Sequence, residues 1–220
     1  MRSWKENNIL RRVRESEKIV ARDKNHLRQL IMNRIEKRGP DCDLNDIDVS
    51  QVTDMSYLFE ESNFNGDISN WDVSNVEDMG WMFFGSKFNG DISKWDVSNV
   101  RNMECMFRNS KFNRDIYRWD VSSVEYMDRM FADSEFNRDI YTWDVSNVKS
   151  MISMFYDSKF NGDIYNWDVS NVEDMRWMFF GSKFNGDISN WNVSDLTSMD
   201  GMFKDSPLEG NEPDWYYEYY

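Results

Sequence analysis

Apolar positions recur in one fixed order along most of the chain. Phe64, Ile68, Trp71, Val73, Val76, Met79, Met82 and Phe83 are followed by the same set 24 residues later, and tryptophan returns at Trp95, Trp119, Trp143, Trp167, Trp191 and Trp215. A constant period in this range marks stacked units, none of which can bury its apolar face alone. Trp71 and Val73 alternate around Asp72, a strand pattern that sends Asp72 away from the core. From Val76 to Phe83 the spacing widens to three and four, which predicts a short α or 3-10 helix, with Ser74 as its N-cap and Glu77 completing a capping box. Phe64-Asn65-Gly66-Asp67 reads as the return turn. Stacked Asn65, Asn89, Asn113, Asn137, Asn161 and Asn185 are expected to form a side-chain ladder, as are the serines headed by Ser62.

The ends of the chain differ from the repeat. Residues 4–20 and 24–38 predict two helices, the first with a ragged face of Ile9, Leu10, Val13 and Val20. The second has a clean stripe of Leu27, Leu30, Ile31 and Ile35, an N-cap at Asp23 and a stop at Gly39-Pro40. It is expected to cap the open end of the repeats, whose first, degenerate copy carries Leu44, Ile47, Val49, Val52, Met55, Leu58 and Phe59. Two regions follow: residues 1–40, a helical segment and cap, and 41–220, the repeats with a C-terminal capping strand in which Trp215 keeps register and Tyr217 takes the Val193 column.

The succession Phe-Asn-x-Asp-Ile-x-x-Trp-Asp-Val-Ser-Asn-Val-x-x-Met-x-x-Met-Phe, repeated over roughly residues 44–217, resembles the BspA-like leucine-rich repeat family in the Trp-Asp-Val-Ser-Asn-Val variant of bacterial surface proteins. The resemblance implies a leucine-rich-repeat-like solenoid and protein binding. Together with the periodicity, the fold class expected is an α/β repeat: about seven 24-residue coils, one parallel sheet, short α or 3-10 helices, and an N-terminal helical cap.

Charge divides the chain in the same place. Residues 1–40 hold 12 Lys+Arg against 5 Asp+Glu, and the remainder 14 against 35. A basic head thus precedes an acidic body that repels nucleic acid and membrane phosphate and favours a basic partner. Arg11, Arg12 and Arg14 occupy the stretch a signal peptide would make apolar, so the expectation is a cytoplasmic protein, or a surface protein if a leader has been removed. Cys42 and Cys105 occupy unrelated repeat positions and read as free thiols.

Catalysis is not expected. His26 is the only histidine and lies in the capping helix, leaving no base for a nucleophile, and a repeat gives its carboxylates nearly equal environments where acid–base work needs unlike ones. The aspartate columns headed by Asp67 and Asp72 resemble calcium arrays, but no glycine-rich nonapeptide accompanies them and Arg114 and Arg138 replace Gly66. They read as hydrogen-bonded turns, and no metal or other cofactor is expected. Thirteen of 15 methionines fall in the columns of Met55, Met79 and Met82, as core filler.

Variation between copies then picks out a binding surface. Tyr117, Tyr141 and Tyr165 replace serine in successive repeats and are expected to stack at strand spacing, about 4.8 Å. Arg114, Arg118 and Arg138 lie beside them, with Asp120, Asp144 and Asp168 in the adjoining column. Tyrosine and arginine dominate interface energetics, so this patch is the expected partner site on the sheet face of a non-catalytic interaction module. The alternative is an acidic decoy or immunity-type protein that neutralises a basic nucleic-acid-binding partner. Trp81 and Trp177, with Phe84 and Phe180, are a second departure, expected to be partly buried just off the core columns. Nucleic acid enters only if the basic first helix, through Arg11, Arg12, Arg14 and Arg22, docks on it. A monomer is expected, with tail-to-tail pairing through the C-terminal strand as the alternative.

Overall fold

A computed structural model describes residues 18–194 and 197–218. Its elements, in order, are β1 (Ile19–Val20), α1 (Lys24–Arg38), β2 (Ile47–Asp48) and a terminal 3-10 helix η1 (Asp214–Glu218). Between β2 and η1 the chain is a stack of 24-residue repeats, registered by parallel bridges that run Asp54–Asp78–Asn102–Tyr126–Ser150–Asp174–Ser198.

The N-terminal end is covered twice. Asp23 caps α1 by accepting the His26 N–H at 2.8 Å, and Gly39, at φ +84°, closes it by donating to the Ile35 carbonyl. Leu27 and Ile31 are fully inside the core, with Leu30 and Ile35 packed against its margin. Lys24 Nζ reaches the first repeat, bridging the Asp54 carboxylate and the Ser56 hydroxyl. The expected helix over residues 4–20 fails at its end: Ile19 and Val20 are a strand, parallel to β2, with the Ile19 and Ala21 N–H groups donating to Asp46 and Asp48 carbonyls. The edge of the first repeat is satisfied by backbone, which a helix cannot offer sideways. Residues 4–17 of that helix lie outside the described residues.

Within the repeats the predicted secondary structure is replaced by another arrangement. The Trp-Asp-Val segments do alternate inward and outward, but among the described residues no ladder joins one to the next; each lies between two tight turns, closed in the Trp71 copy by Trp71 N–H to Ile68 O (3.1 Å) and Val76 N–H to Val73 O (2.9 Å). The stretch expected to be helical carries the inter-repeat ladder instead. Met79, Trp81, Phe83 and Gly85 N–H donate to Asn102, Glu104, Met106 and Arg108 carbonyls of the next repeat at 2.8–3.0 Å, while Met82 and Ser86 N–H turn back to Met79 and Phe83. Alternate amides therefore serve the neighbour and the local turn. A left-handed residue makes this geometry: φ is +60° at Trp81 and +62° at Gly85, and positive again at Cys105, Asn109, Arg129, Asp133, Ser153, Asp157 and Trp177. An i, i+3 apolar spacing suits both a helix and successive tight turns, and the positive φ excludes the helix.

The core is continuous from α1 to η1. Columns of Phe, Ile, Trp, Val and Met are almost all under 5% exposed, the methionines among them as expected. Aromatic rings stack in register, with Trp71–Trp95 centroids at 6.4 Å, Phe83–Phe107 at 5.6 Å and Phe88–Phe112 at 6.3 Å. Each core indole also donates to a carbonyl one repeat earlier: Trp95 Nε1 to Ile68 O, Trp119 Nε1 to Ile92 O, Trp143 Nε1 to Ile116 O. Serine hydroxyls at Ser86, Ser110 and Ser134 accept the Phe88, Phe112 and Phe136 N–H groups, and the asparagine ladder forms, Asn89, Asn113 and Asn137 N–H donating to the side-chain oxygen one repeat back. At the C-terminal end the expected strand is the helix η1. Trp215 keeps its place, stacked on Trp191 with Nε1 bonded to Ile188 O, but Tyr216 rather than Tyr217 covers the core, against Phe203, and Tyr217 is 64% exposed.

Candidate functional site

The aspartate columns are built as local turns. Asp67 Oδ1 accepts the Ser69 N–H, and Asp120 and Asp144 Oδ1 each accept the N–H and hydroxyl of the serine two residues on, Ser122 and Ser146. Ser74 likewise donates its hydroxyl to Asp72, so it closes an Asx turn where a helix cap was expected, and the Glu77 N–H goes to the Thr53 carbonyl. At three turns of these columns, bonding to the ionised form holds the carboxyl below its usual range: at Asp67 and Asp187 chiefly through the backbone N–H of Ser69 and Ser189, at Asp168 chiefly through the Ser170 hydroxyl. Among the described residues no cluster of His, Cys, Asp and Glu is arranged to hold a metal ion.

The tyrosines lie on this same turn side and do not stack. Each occupies the first central position of an Ile–x–x–Trp turn, and among the described residues no ring contact joins Tyr117 to Tyr141 or Tyr141 to Tyr165. Without a strand there, nothing holds the rings at ladder spacing. Tyr117 accepts a 2.7 Å hydrogen bond from Arg118 Nε, whose guanidinium lies 5.3 Å from its ring, and the Tyr165 hydroxyl accepts from Asn190 Nδ2. Arg114 and Arg138 are tied back to Asn89 and Asn113 carbonyls. Tyr117, Arg138 and Tyr141 do come together, with Asp115 and Asp139, around an open hollow of about 510 Å³. Arg114, Arg118, Tyr165, Asp120, Asp144 and Asp168 do not line it.

The other varied surface is the ladder face, where side chains from every second ladder position project out of an invariant core. The residues aligned with Trp81 are Tyr57, Cys105, Arg129, Ser153, Trp177 and Gly201; those aligned with Phe84 are Glu60, Arg108, Ala132, Tyr156, Phe180 and Lys204. Tyr57, Tyr126 and Trp177 are exposed, Trp177 at 41%, more than the partial burial expected of it. The aromatic and cationic side chains touch one another within and across repeats: Arg176 lies 5.7 Å over its neighbour Trp177, while Tyr156 stacks on Phe180 of the next repeat at 4.9 Å and Lys204 lies 5.8 Å over Phe180 of the one before. Charge is sorted as well. The seven ladder segments, residues 53–63 and their 24-residue repeats to 197–207, hold 10 of the 14 Lys+Arg of residues 41–220 but only 15 of the 35 Asp+Glu. Ion pairs run along both margins of this face, Arg101–Glu125–Lys149 on one and Lys111–Glu135–Lys159 on the other.

Where small residues interrupt these columns a cavity of about 390 Å³ opens, floored by Ser153 and Ala132 and walled by Arg108, Arg129, Asp133, Tyr156, Trp177 and Phe180. Cys105, one repeat before Arg129, is buried, and burial pushes its thiol up to about 11, so it packs as a small apolar group. Reading residues 76–83 as a helix conceals this site, because helical phase scatters columns that the ladder aligns; the signal was the variability at the Trp81 and Phe84 positions between constant neighbours.

A family profile described as "Mycoplasma protein of unknown function, DUF285" matches residues 29–135 and again 108–215. The chain belongs to the DUF285 family. The two matches overlap, and each spans more than four of the 24-residue units described above. No curated protein and no solved structure matches the chain. Among the described residues, no helix is long and apolar enough to cross a membrane.

Proposed function

We propose that this DUF285 chain is a non-catalytic protein-recognition module, a BspA-like, leucine-rich-repeat-like solenoid that binds a partner protein on its ladder face. The observation that carries this reading is the concentration of sequence variation and of arginine, lysine and exposed aromatic side chains on that face, above a core repeated almost without change. The strongly acidic remainder of the body steers a partner of net positive charge. The Tyr117–Arg138–Tyr141 hollow is a second, more polar contact surface available to the same partner.

A photo-crosslinking amino acid placed at Tyr126 or Trp177, and in separate proteins at Tyr141 or Asn166, tests the choice of face in native lysate. The reading expects a discrete adduct from the first pair, lost when unlabelled protein is added in excess; adducts from the second pair alone would overturn it. The decoy reading is favoured by one specific observation, that aspartates recur at 24-residue spacing along the turn side, with Asp67, Asp72, Asp91 and Asp96 held in place by serine donors and Asn192 ending the second column. It expects affinity to fall steeply as salt is raised through the physiological range, whereas binding centred on Trp177 does not.

A further inference from the structure

The cavity floored by Ser153 and Ala132 has walls of two different kinds. One is flat and apolar, made by Trp177 and by Tyr156 stacked on Phe180 with their planes 4° apart. The other is cationic. Arg108 Nε meets Asp133 only at 3.5 Å, and Arg129, half-buried, makes no side-chain hydrogen bond or ion pair among the described residues. Glu104 of the preceding repeat feels the charge of Arg129, but burial raises its pKa and no bond joins the two. A half-buried guanidinium with its side-chain donors unused favours a carboxylate, which it can meet through two parallel N–H groups. The aromatic wall favours a flat or apolar neighbour to that carboxylate, and the cavity has room for both.

We propose that this cavity takes a segment of a partner protein in which a glutamate or aspartate adjoins an aromatic residue, the carboxylate on Arg129 and the ring against Trp177. This rests on the ladder face being the recognition face, and it supplies the chemical class of the partner's contact. A partner of net positive charge satisfies both conditions when it carries one such acidic–aromatic step.

The test uses the full chain and ligand-observed fluorine NMR with acetyl-Gly-(para-fluoro-Phe)-Glu-Gly-amide, its Gln and Lys counterparts, and free para-fluorophenylacetate. The Glu peptide is expected to bind about tenfold more tightly than the Gln peptide, the margin of one charge-assisted contact, and the Lys peptide more weakly still. Arg129→Gln should bring the Glu peptide to the level of the Gln peptide, Trp177→Ala should weaken both, and Lys94→Gln, which removes a cation from the turn side, should change neither. Equal affinity of the Glu and Gln peptides, an unaltered preference in Arg129→Gln, or no binding by any peptide overturns the proposal. Tight binding of the free carboxylate with none of the peptides overturns it too, in favour of a small-molecule site. Crosslinks from Tyr126 and Trp177 that persist after such a failure leave the recognition face standing with a different contact chemistry; their absence removes the face itself.

Discussion

Trp143 shows how much one side chain does in a repeat of this kind. Its rings stack between neighbouring repeats, 6.5 Å from Trp119 and 6.4 Å from Trp167, and its indole N–H is a second donor, beside the Trp119 N–H, to the buried Ile116 carbonyl. Trp143→Phe keeps most of the stack and leaves that carbonyl the Trp119 N–H alone, so the expected loss is that of one hydrogen bond, about 1 kcal/mol in a urea melt. The left-handed positions respond to backbone rather than contacts. Asn109, exposed at φ +53°, should tolerate glycine with no loss of stability, whereas Asn109→Val should cost about 1–2 kcal/mol, because a β-branched side chain crowds its own carbonyl there.

The repeat owes its pH response to groups on its two sides whose pKa values move in opposite directions. Glu104 is raised, first by burial and then by Asp128, against the pull of Arg129. A raised carboxyl contributes stability that is present at low pH and lost as pH rises through its folded pKa. Glu104→Gln should therefore stabilise the protein at neutral pH, with the gain shrinking as the pH is lowered through the carboxylate range; equal melting-temperature shifts at pH 4 and 8 would contradict this. The Asx turns work the other way. Asp67, Asp168 and Asp187 are lowered by serine donors, so their contribution is present at neutral pH and lost as pH falls through their folded values. A single Asp187→Asn keeps the accepting oxygen, and thermal melts from neutral to acid pH should show it less acid-sensitive than the parent.

For the whole molecule the two ends decide whether the stack stands alone. α1 and β1 close one end, while Trp215 and Tyr216 of η1 lie over Trp191 and Phe203 at the other. Removing residues 211–220 is expected to lower the melting temperature with no change of mass in light scattering, and Trp215→Ala alone should account for about 3 kcal/mol of that loss. A dimer that becomes a monomer on truncation would instead assign η1 to an interface.

What the sequence by itself determined is the repeat and its inside. A 24-residue period in Phe, Ile, Trp, Val and Met leaves each unit with an apolar face that only its neighbours can cover, so stacking, core columns and the aspartate and asparagine turns were all legible, as were the caps of α1 at Asp23 and Gly39. Which backbone stretch carries the ladder was decided by tertiary structure. Apolar spacings of three and four fit a helix or successive tight turns equally, and the choice was made at Trp81, Arg129, Ser153 and Trp177, where φ turns positive so that alternate amides can reach the next repeat. Nothing in those side chains announces a left-handed backbone; the conformation is imposed by bonds to residues 24 or so positions away. Because the ladder fixes which columns share a surface, the same decision moved the strongest candidate site from the tyrosines around Tyr117 and Tyr141 to the cavity between Arg129 and Trp177.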